Sequence, residues 1–427
     1  MTGPLPASTL GEVTPPHLRS VAADTPRKVT RIADVEQALA AAAELSAAFA
    51  ADAGTRDADR ELPHDQVRAL KDSGLLALSV PVEYGGIAAP AAVIAEVFRL
   101  FAHGDPSLAQ IPHSHYTFLE AVRLQGTDAQ QAFFFEKVLA GALFANAQSE
   151  RGPHPIDVDA TTLVRDGDHY VLQGRKFYST GALFADWVIV RASLPEHPGE
   201  TPTSSTPKAL AFVPADTEGL QVVDDWDGMG QRTTASGTVT LDAVRVPVEQ
   251  VVAFTPIFKA PSVYGARAQL FHAALDVGIA TAALAEGVRQ SAKARPHFEA
   301  GVDTAADDPT VVHLAGELTV TVRGAQALLA EAGRAVDAAA ADLDSDSAAA
   351  ASVAVAVAKV AATRASLEAS STLFELGGTR SASGAANLSR YWRDARTHTL
   401  HDATRWKLQH IGRYTLTGTN PPRHGQL

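Results

Sequence analysis

The sequence predicts an α+β protein of three parts: a helical domain, a small β-domain and a four-helix-type C-terminal block. Three observations carry this. Apolar residues recur at helical spacing through the first 140 positions, short β-prone runs with a hairpin signal fill about 141–257, and long alanine-rich runs follow Gly265. At about 150 residues per domain, 427 residues suit such a division.

Residues 1–28 carry Pro4, Pro6, Pro15, Pro16 and Pro26 with few large apolar side chains, and read as a flexible or draped arm. Residues 29–140 form the N-terminal helical domain. Within it, the alanine-rich stretch from Ile32 is expected to end at Gly54. Pro63 suits a helix start and Gly74 its stop. After the apolar segment Leu75 to Val80 and a Gly85–Gly86 turn, Val93, Ile94, Val97, Phe98 and Phe101 mark another helix. In the β-domain, 141–257, Thr162–Val164 and Tyr170–Leu172 flank Asp166–Gly167, a hairpin signal. Trp187–Arg191, Ala209–Val213 and Thr238–Val246 continue the strands, and proline and serine make 195–208 a surface loop. Residues 258–427 hold helical runs near 265–294, 308–340 and 347–376, the last two suited to close antiparallel packing.

Lys and Arg number 36 against 48 Asp and Glu, so the net charge is 36 − 48 = −12. With no basic stripe, a nucleic-acid partner is not expected. The 46 % hydrophobic and 20 % charged content excludes wholesale disorder. The absence of cysteine removes disulfides, thiolate nucleophiles and Cys-ligated metal centres. No uninterrupted apolar run of about 18 residues and no secretion signal is found, so a cytoplasmic, membrane-free protein is expected.

Polar side chains gather in three segments. In Gln110-Ile111-Pro112-His113-Ser114-His115-Tyr116 the His-x-His pair is either part of a metal ligand set or a set of ordinary helix-start residues. Phe144 to Gly152 and Gly174 to Gly181 bring small hydroxyl and amide groups to strand ends, where they suit the edge of a flat heteroaromatic. Arg390 to Asp402 follows Gly377-Gly378-Thr379-Arg380, a candidate anion-binding turn. There His398 and His401 share a face if helical, and with Asp402 form an acid/base pair, a metal site or simply part of a salt-bridged surface helix. His-x-x-His spacing is common, and no metal site is assigned.

Several motifs resemble the acyl-CoA dehydrogenase superfamily over about residues 30–425. Glu61-Leu62-Pro63 with Pro81-Val82-Glu83-Tyr84-Gly85-Gly86 is similar to its N-terminal signature, and Asp225 to Thr233 to its β-domain segment around a glycine turn. The resemblance implies an N-terminal helical domain, a β-barrel-like middle domain and a C-terminal four-helix bundle. Where dehydrogenases of this superfamily carry Tyr-Glu-Gly-Thr, this chain has His401-Asp402-Ala403-Thr404. Asp402 is one methylene shorter than that catalytic Glu, and a base displaced by about 1 Å loses on the order of a hundredfold in rate. The run Arg396-Thr397-His398-Thr399-Leu400-His401-Asp402 instead resembles the flavin-dependent monooxygenase branch, of dibenzothiophene monooxygenase and sulfur-acquisition type, as do Trp406-Lys407 and Gly418 to Pro422.

That resemblance implies a two-component monooxygenase of sulfur acquisition or desulfurisation. It would use reduced FMN, rather than FAD, delivered by a separate NAD(P)H:flavin reductase. A C4a-hydroperoxyflavin formed with O2 would pass oxygen to an organosulfur compound of sulfide, sulfoxide or thiophene type. It implies that Asn146, Thr180 and Trp226 line the flavin ring, with Thr180 near its N5 edge and counted in the catalytic set. Arg295 and Arg380 would hold the flavin phosphate, partly across a subunit boundary of a homotetramer. His398 and His401 would face the reactive edge, His401 also binding cofactor, with His401 the first choice of proton donor and His398 the second. Gln110, Ser114 and His115 would close the substrate side, Gln110 and Ser114 replacing a His and a Tyr of that branch. The alternatives are an acyl-CoA dehydrogenase using Asp402 as base, an N-hydroxylating flavin monooxygenase and a flavin-free helical interaction protein.

Overall fold

The computed structural model describes residues 28–153, 155 and 157–426; the expected N-terminal arm lies, except for Lys28, outside them. Helix α1 (Val35–Asp59) passes through Gly54 and stops at Arg60, whose backbone is left-handed (φ 52°, ψ 41°). The expected stop at Gly54 is thus five residues early. A mid-helix glycine costs about 1 kcal/mol, and the next turn offsets it: Arg56 is buried against Asp105 at 2.9 Å, and Asp57 pairs with Arg393. Helix α2 (His64–Asp72) follows Pro63 as expected. Gly74 (φ 79°) ends it, where a Cβ would stand 2.0 Å from the Thr30 carbonyl oxygen. Helices α3 (Ala91–Gly104), α4 (Pro106–Gln110), α5 (His113–Gln125) and α6 (Asp128–Leu139) complete the first part. A reciprocal Thr127–Gln130 cap opens α6, and the Gln130 amide also donates to the carbonyls of Glu249 and Val251, tying helices to sheet.

Eight strands follow: β1 (Phe144–Ala147), β2 (Thr162–Asp166), β3 (His169–Lys176), β4 (Trp187–Ser193), β5 (Lys208–Pro214), β6 (Leu220–Val223), β7 (Thr238–Pro247) and β8 (Val251–Ala253). They form one sheet in the order β6-β7-β3-β2-β4-β5-β8, with β1 parallel to β4. The expected hairpin is β2–β3, registered Leu163 opposite Leu172 and turned by Gly167 at φ 62°. Side chains alternate along β4. Trp187 and Ile189 join Phe118, Phe134 and Phe212 on the face covered by α5 and α6, while Val188, Val190 and Ala192 pack on the other.

The third part holds α7 (Tyr264–Ser291), α8 (Pro309–Ala341), α9 (Ser345–Gly377), α10 (Ser389–His398) and α11 (Thr404–Thr417). Along α9, Ala351, Val355, Ala358, Ala362, Ala365 and Ala369 alternate three- and four-residue steps and are buried against α7 and α8. Small residues there let the backbones approach closely. Helices α7 and α9 are long and apolar enough to cross a membrane, but 83 % and 61 % of their most apolar windows are buried inside the protein, so both are core helices.

Candidate active site

Two adjoining cavities lie where the β-domain meets α5, α7 and the α10–α11 turn. The first, about 760 Å³, is walled by Gln110, Ser114, Asn146, Thr180, Trp226, His398 and His401 among others. These are the expected ring-lining residues, the expected histidine pair and two of the three expected substrate residues. The second, about 680 Å³, has Phe254, Phe258 and Tyr264 on one side and His113, Gln269 and His272 on another. Ser114, Asn146 and His401 line both, so the two are neighbouring compartments of one site.

Local hydrogen bonds set the first wall. The Asn146 amide donates to the Tyr178 carbonyl at 3.2 Å, and its oxygen accepts from Gln148 at 2.9 Å. Thr180 and Ser236 share a hydrogen bond of 2.8 Å between hydroxyls, and Trp226 Nε1 donates to the Gln231 carbonyl at 2.8 Å. Tyr178 and Gln231, both at the wall, hold left-handed backbone (φ 55° and 47°). Strained residues of this kind cost about 1–3 kcal/mol each and gather at functional sites. The glycine turn 228–230 docks on α10, where a Cβ on Gly230 would meet the Arg393 carbonyl oxygen at 2.0 Å and Asp394 accepts from the Gln231 N–H at 2.6 Å.

The histidines form a cluster that the sequence shows only in part. His113 stacks on His272 with ring centres 3.7 Å apart, and His272 lies 4.1 Å from His401 and 5.2 Å from His398. His401 is not on the helix with His398: α10 ends at His398, His401 sits in the following turn, and their ring centres are 6.5 Å apart. His401 Nδ1 is 3.3 Å from Asp402 Oδ2. Burial raises the Asp402 carboxyl, but the charge and hydrogen bond of His401 together with the charges of Lys407 and Lys359 outweigh it and hold the group far below the usual range.

Two expectations are corrected. His115 is fully buried and lines neither cavity; Nε2 meets the Leu76 carbonyl at 2.8 Å and Nδ1 accepts from the Phe144 N–H at 3.1 Å. Successive helix residues turn by about 100°, so His115 looks away from the side of Ser114 and joins α5 to β1. The Gly378 turn lies at the carbonyl end of α9, where the helix dipole disfavours an anion. Binding there would rest on the Arg380 guanidinium. Arg380 and Arg295 are both exposed and outside the two cavity walls in the single chain.

The buried ionisable groups give a pH signature. Burial pushes His113 down to about 3 and His115 to about 4, each partly offset by a carbonyl partner. Between the unfolded value of about 6.5 and these lower values, only the unfolded chain binds the proton, so stability falls on acidification. Asp394 acts oppositely: burial, then the charges of Asp57 and Asp105, lift it to about 7, against the backbone N–H of Gln231. Its folded form holds a proton that the unfolded form lacks between about 7 and 4, which favours the folded state as pH falls. Asp394→Asn is therefore expected to steepen the loss of stability from pH 7 to 5 by about one proton, or about 1.4 kcal/mol per pH unit. Urea unfolding across that range measures it, and an unchanged slope refutes it.

A helical–sheet–helical chain with a flat-walled polar cavity between sheet and C-terminal helices is the architecture of one class, and the chain belongs to it: the acyl-CoA dehydrogenase family. The family's N-terminal domain matches residues 34–142, its middle domain 144–244 and its C-terminal domain 270–406. The chain is similar to the probable FMNH2-dependent monooxygenase SfnC of Pseudomonas putida, 31 % identical over 392 residues, 90 % of this chain and 96 % of that one. Among solved structures it resembles FMN-bound TdsC from Paenibacillus sp. A11-2, with a TM-score of 0.86 and 31 % identity over 92 % of this chain and 100 % of that one. It also resembles the methanesulfinate monooxygenase MsuC from Pseudomonas fluorescens, with a TM-score of 0.82 and 31 % identity over 91 % and 99 % of the two chains.

Proposed function

We propose that the chain is a reduced-FMN-dependent monooxygenase that oxidises an organosulfur compound, with O2 as co-substrate and a separate NAD(P)H:flavin reductase supplying the cofactor. The observation that carries this reading is the unsatisfied polar set on the first cavity wall. Gln110 Oε1 and Thr397 Oγ1 are buried there without a hydrogen-bond partner, beside the small polar groups of Asn146, Thr180 and Ser236 and the Trp226 ring. Such a set fits the flat, hydrogen-bonding edge of a flavin ring.

In this reading Asn146, Thr180 and Trp226 hold the ring, with Thr180 in hydrogen-bonding reach of its edge. Arg295 and Arg380 take the phosphate in a homotetramer, reached across a subunit boundary. Bound reduced FMN supplies the electrons that activate O2. The protein's part is to orient, to exclude water and to move protons. Thr180 and Asn146 orient through the bonds described above. Phe254, Phe258 and Tyr264 keep the substrate side apolar. His401, bordering both compartments, holds the proton that the departing oxygen requires. Gln110 and Ser114 border the substrate. The three parts divide near residues 140 and 257, and a cytoplasmic location accords with the reading.

A dehydrogenase reading is disfavoured by Asp402. Asp402 borders the second cavity, but both its carboxylate oxygens are buried and Oδ2 lies 3.3 Å from His401 Nδ1, a cationic partner that a proton-abstracting base would have to leave. The deciding experiment supplies the protein with FMN, NADH, a flavin reductase and air, and offers methanesulfinate, a dialkyl sulfide and dibenzothiophene in turn. A product carrying one added oxygen, read by mass spectrometry, is expected from one of them. Anaerobic bleaching of bound FMN by an acyl-CoA thioester, without any sulfur oxidation, would replace this reading with a dehydrogenase.

A further inference from the structure

Helix α7 is apolar and buried over most of its length, yet one stripe carries Gln269, His272 and Asp276, none more than 2 % exposed. Asp276 is held from two sides. Its Oδ2 accepts from Lys359 Nζ at 2.6 Å and from the Thr363 hydroxyl at 3.2 Å, and its Oδ1 meets His398 Nδ1 at 2.5 Å. Lys359 is 1 % exposed, so the ion pair is fully desolvated. Apolar residues of similar size commonly fill such a place at no loss of stability. What an apolar pair would lack is direction.

An ionised carboxylate only accepts, so the hydrogen of neutral His398 sits on Nδ1. Its Nε2 is then a bare acceptor, 3.0 Å from His272 Nδ1, which must donate to it. His272 Nε2 remains as the unprotonated nitrogen toward the cavity that His272 lines. Burial holds both imidazoles below the usual histidine range; neighbouring cationic groups add to it at His272, while at His398 the charge and hydrogen bond of Asp276 oppose it without reversing it. His398 borders the first cavity and His272 the second. The hydrogen-bonded pair thus lies between the two compartments, and both nitrogens of His398 are engaged within it.

We propose that Asp276, His398 and His272 form a proton relay behind the second cavity, in which His272 is a catalytic acid–base residue of the substrate side and Asp276, braced by Lys359, is its positioning residue. A proton taken up at His272 Nε2 forms an N–H bond there. The Nδ1–H bond breaks as its hydrogen passes to His398 Nε2, and the positive charge comes to rest beside Asp276. Return reverses each bond, and no electron moves. The groups facing His272 are His113 from α5, Lys359 from α9, His398 from α10, His401 and Asp402 from the following turn, and Asp276 on its own helix. The relay rests on the monooxygenase reading for its use, but its geometry is open to test without it.

The first measurement is long-range 1H–15N correlation of histidine side chains in FMN-free protein. Near pH 7.5 the wild type is expected to show His398 and His272 as Nδ1–H tautomers, with a far-downfield proton for the short His398–Asp276 bond. Asp276→Leu combined with Lys359→Met removes both charges and fills the space; it should erase the downfield proton and the fixed tautomers. Should the double variant not fold, Asp276→Asn serves, its neutral oxygen expected to bring that proton upfield. The second measurement is turnover. His272→Gln is expected to lower kcat for sulfur oxygenation about a hundredfold and to remove the acidic limb of its pH profile. KM and the Kd for FMN should stay within about twofold. An Nε2–H tautomer at His272 in the wild type, or wild-type kcat and pH profile in His272→Gln, overturns the relay. A wild type that shows the tautomers but oxidises no sulfur compound counts against the function and leaves the relay standing.

Discussion

His401→Ala is expected to uncouple the enzyme: oxygenated product falls about a hundredfold, the size of a lost general acid, while O2 consumption persists and the missing oxygen appears as hydrogen peroxide. The reason is position. His401 borders both cavities, and its side chain is 48 % exposed, so it can exchange protons with solvent. Asp402 Oδ2 stands 3.3 Å from Nδ1, and the His272 ring lies 4.1 Å away on the cavity wall. Alanine removes the donor and also opens space that water fills, and both changes favour peroxide release over transfer. Product by mass spectrometry and peroxide by a peroxidase-coupled assay check it together. Unchanged product with no added peroxide would take the proton-donor role from His401.

Lys176→Met is expected to lower stability by about 3–5 kcal/mol, the range for breaking one side of a buried charge network, and to weaken FMN binding. Lys176 has no exposed surface. Its ammonium donates to Glu150 Oε1 at 2.7 Å, Asp159 Oδ1 at 3.1 Å and the Gln148 carbonyl at 3.1 Å. Asp159 also takes a two-pronged contact from Arg191 at 2.8 and 2.9 Å, and Glu150 accepts from the backbone N–H groups of Ala160 and Thr161. Through these bonds one buried ammonium pins Gln148, which lines the second cavity, and Glu150 and Asp159, which line the first, to strand β3. Without it two carboxylates face each other with Arg191 and, 3.5 Å from Asp159, Lys208 left to balance them. Urea unfolding and flavin fluorescence titration read the two effects, and adding Glu150→Gln should recover part of the stability. A variant as stable as wild type would mean that Arg191 and Lys208 suffice to neutralise the pair.

Much of the fold was legible because period is a local property. The β2–β3 hairpin shows as two β-prone runs around Asp166–Gly167, and α9 as alanine spaced for close contact. Helix α1 shows the limit: Gly54 reads as a stop, but Arg56 finds its partner Asp105 49 residues away, and no local rule contains that bond. The site divides in the same way. His398 and His401 stand out because polar residues crowd a short motif; Asn146 and Thr180 fall in polar strand-end segments, but singling them out, with Trp226, rests on the family resemblance. His272 and Asp276 left a fainter signal, a polar stripe at steps of three and four on an apolar helix, and His113 sits one residue from Ser114 with no sign of which would face inward.

The sequence by itself determined the order of helix, sheet and helix, the dependence of any redox chemistry on a borrowed cofactor, since cysteine is absent, and the histidine motif that marks the site. Tertiary structure decided which histidines meet. His115 was turned into the core to join α5 to β1, His113 and His272 were stacked at the second cavity, and Asp276 was set against His398 across 122 residues of chain. The physical reason is that a side chain's role depends on the face its helix presents and on the partner it meets there, and both are fixed only when the elements pack.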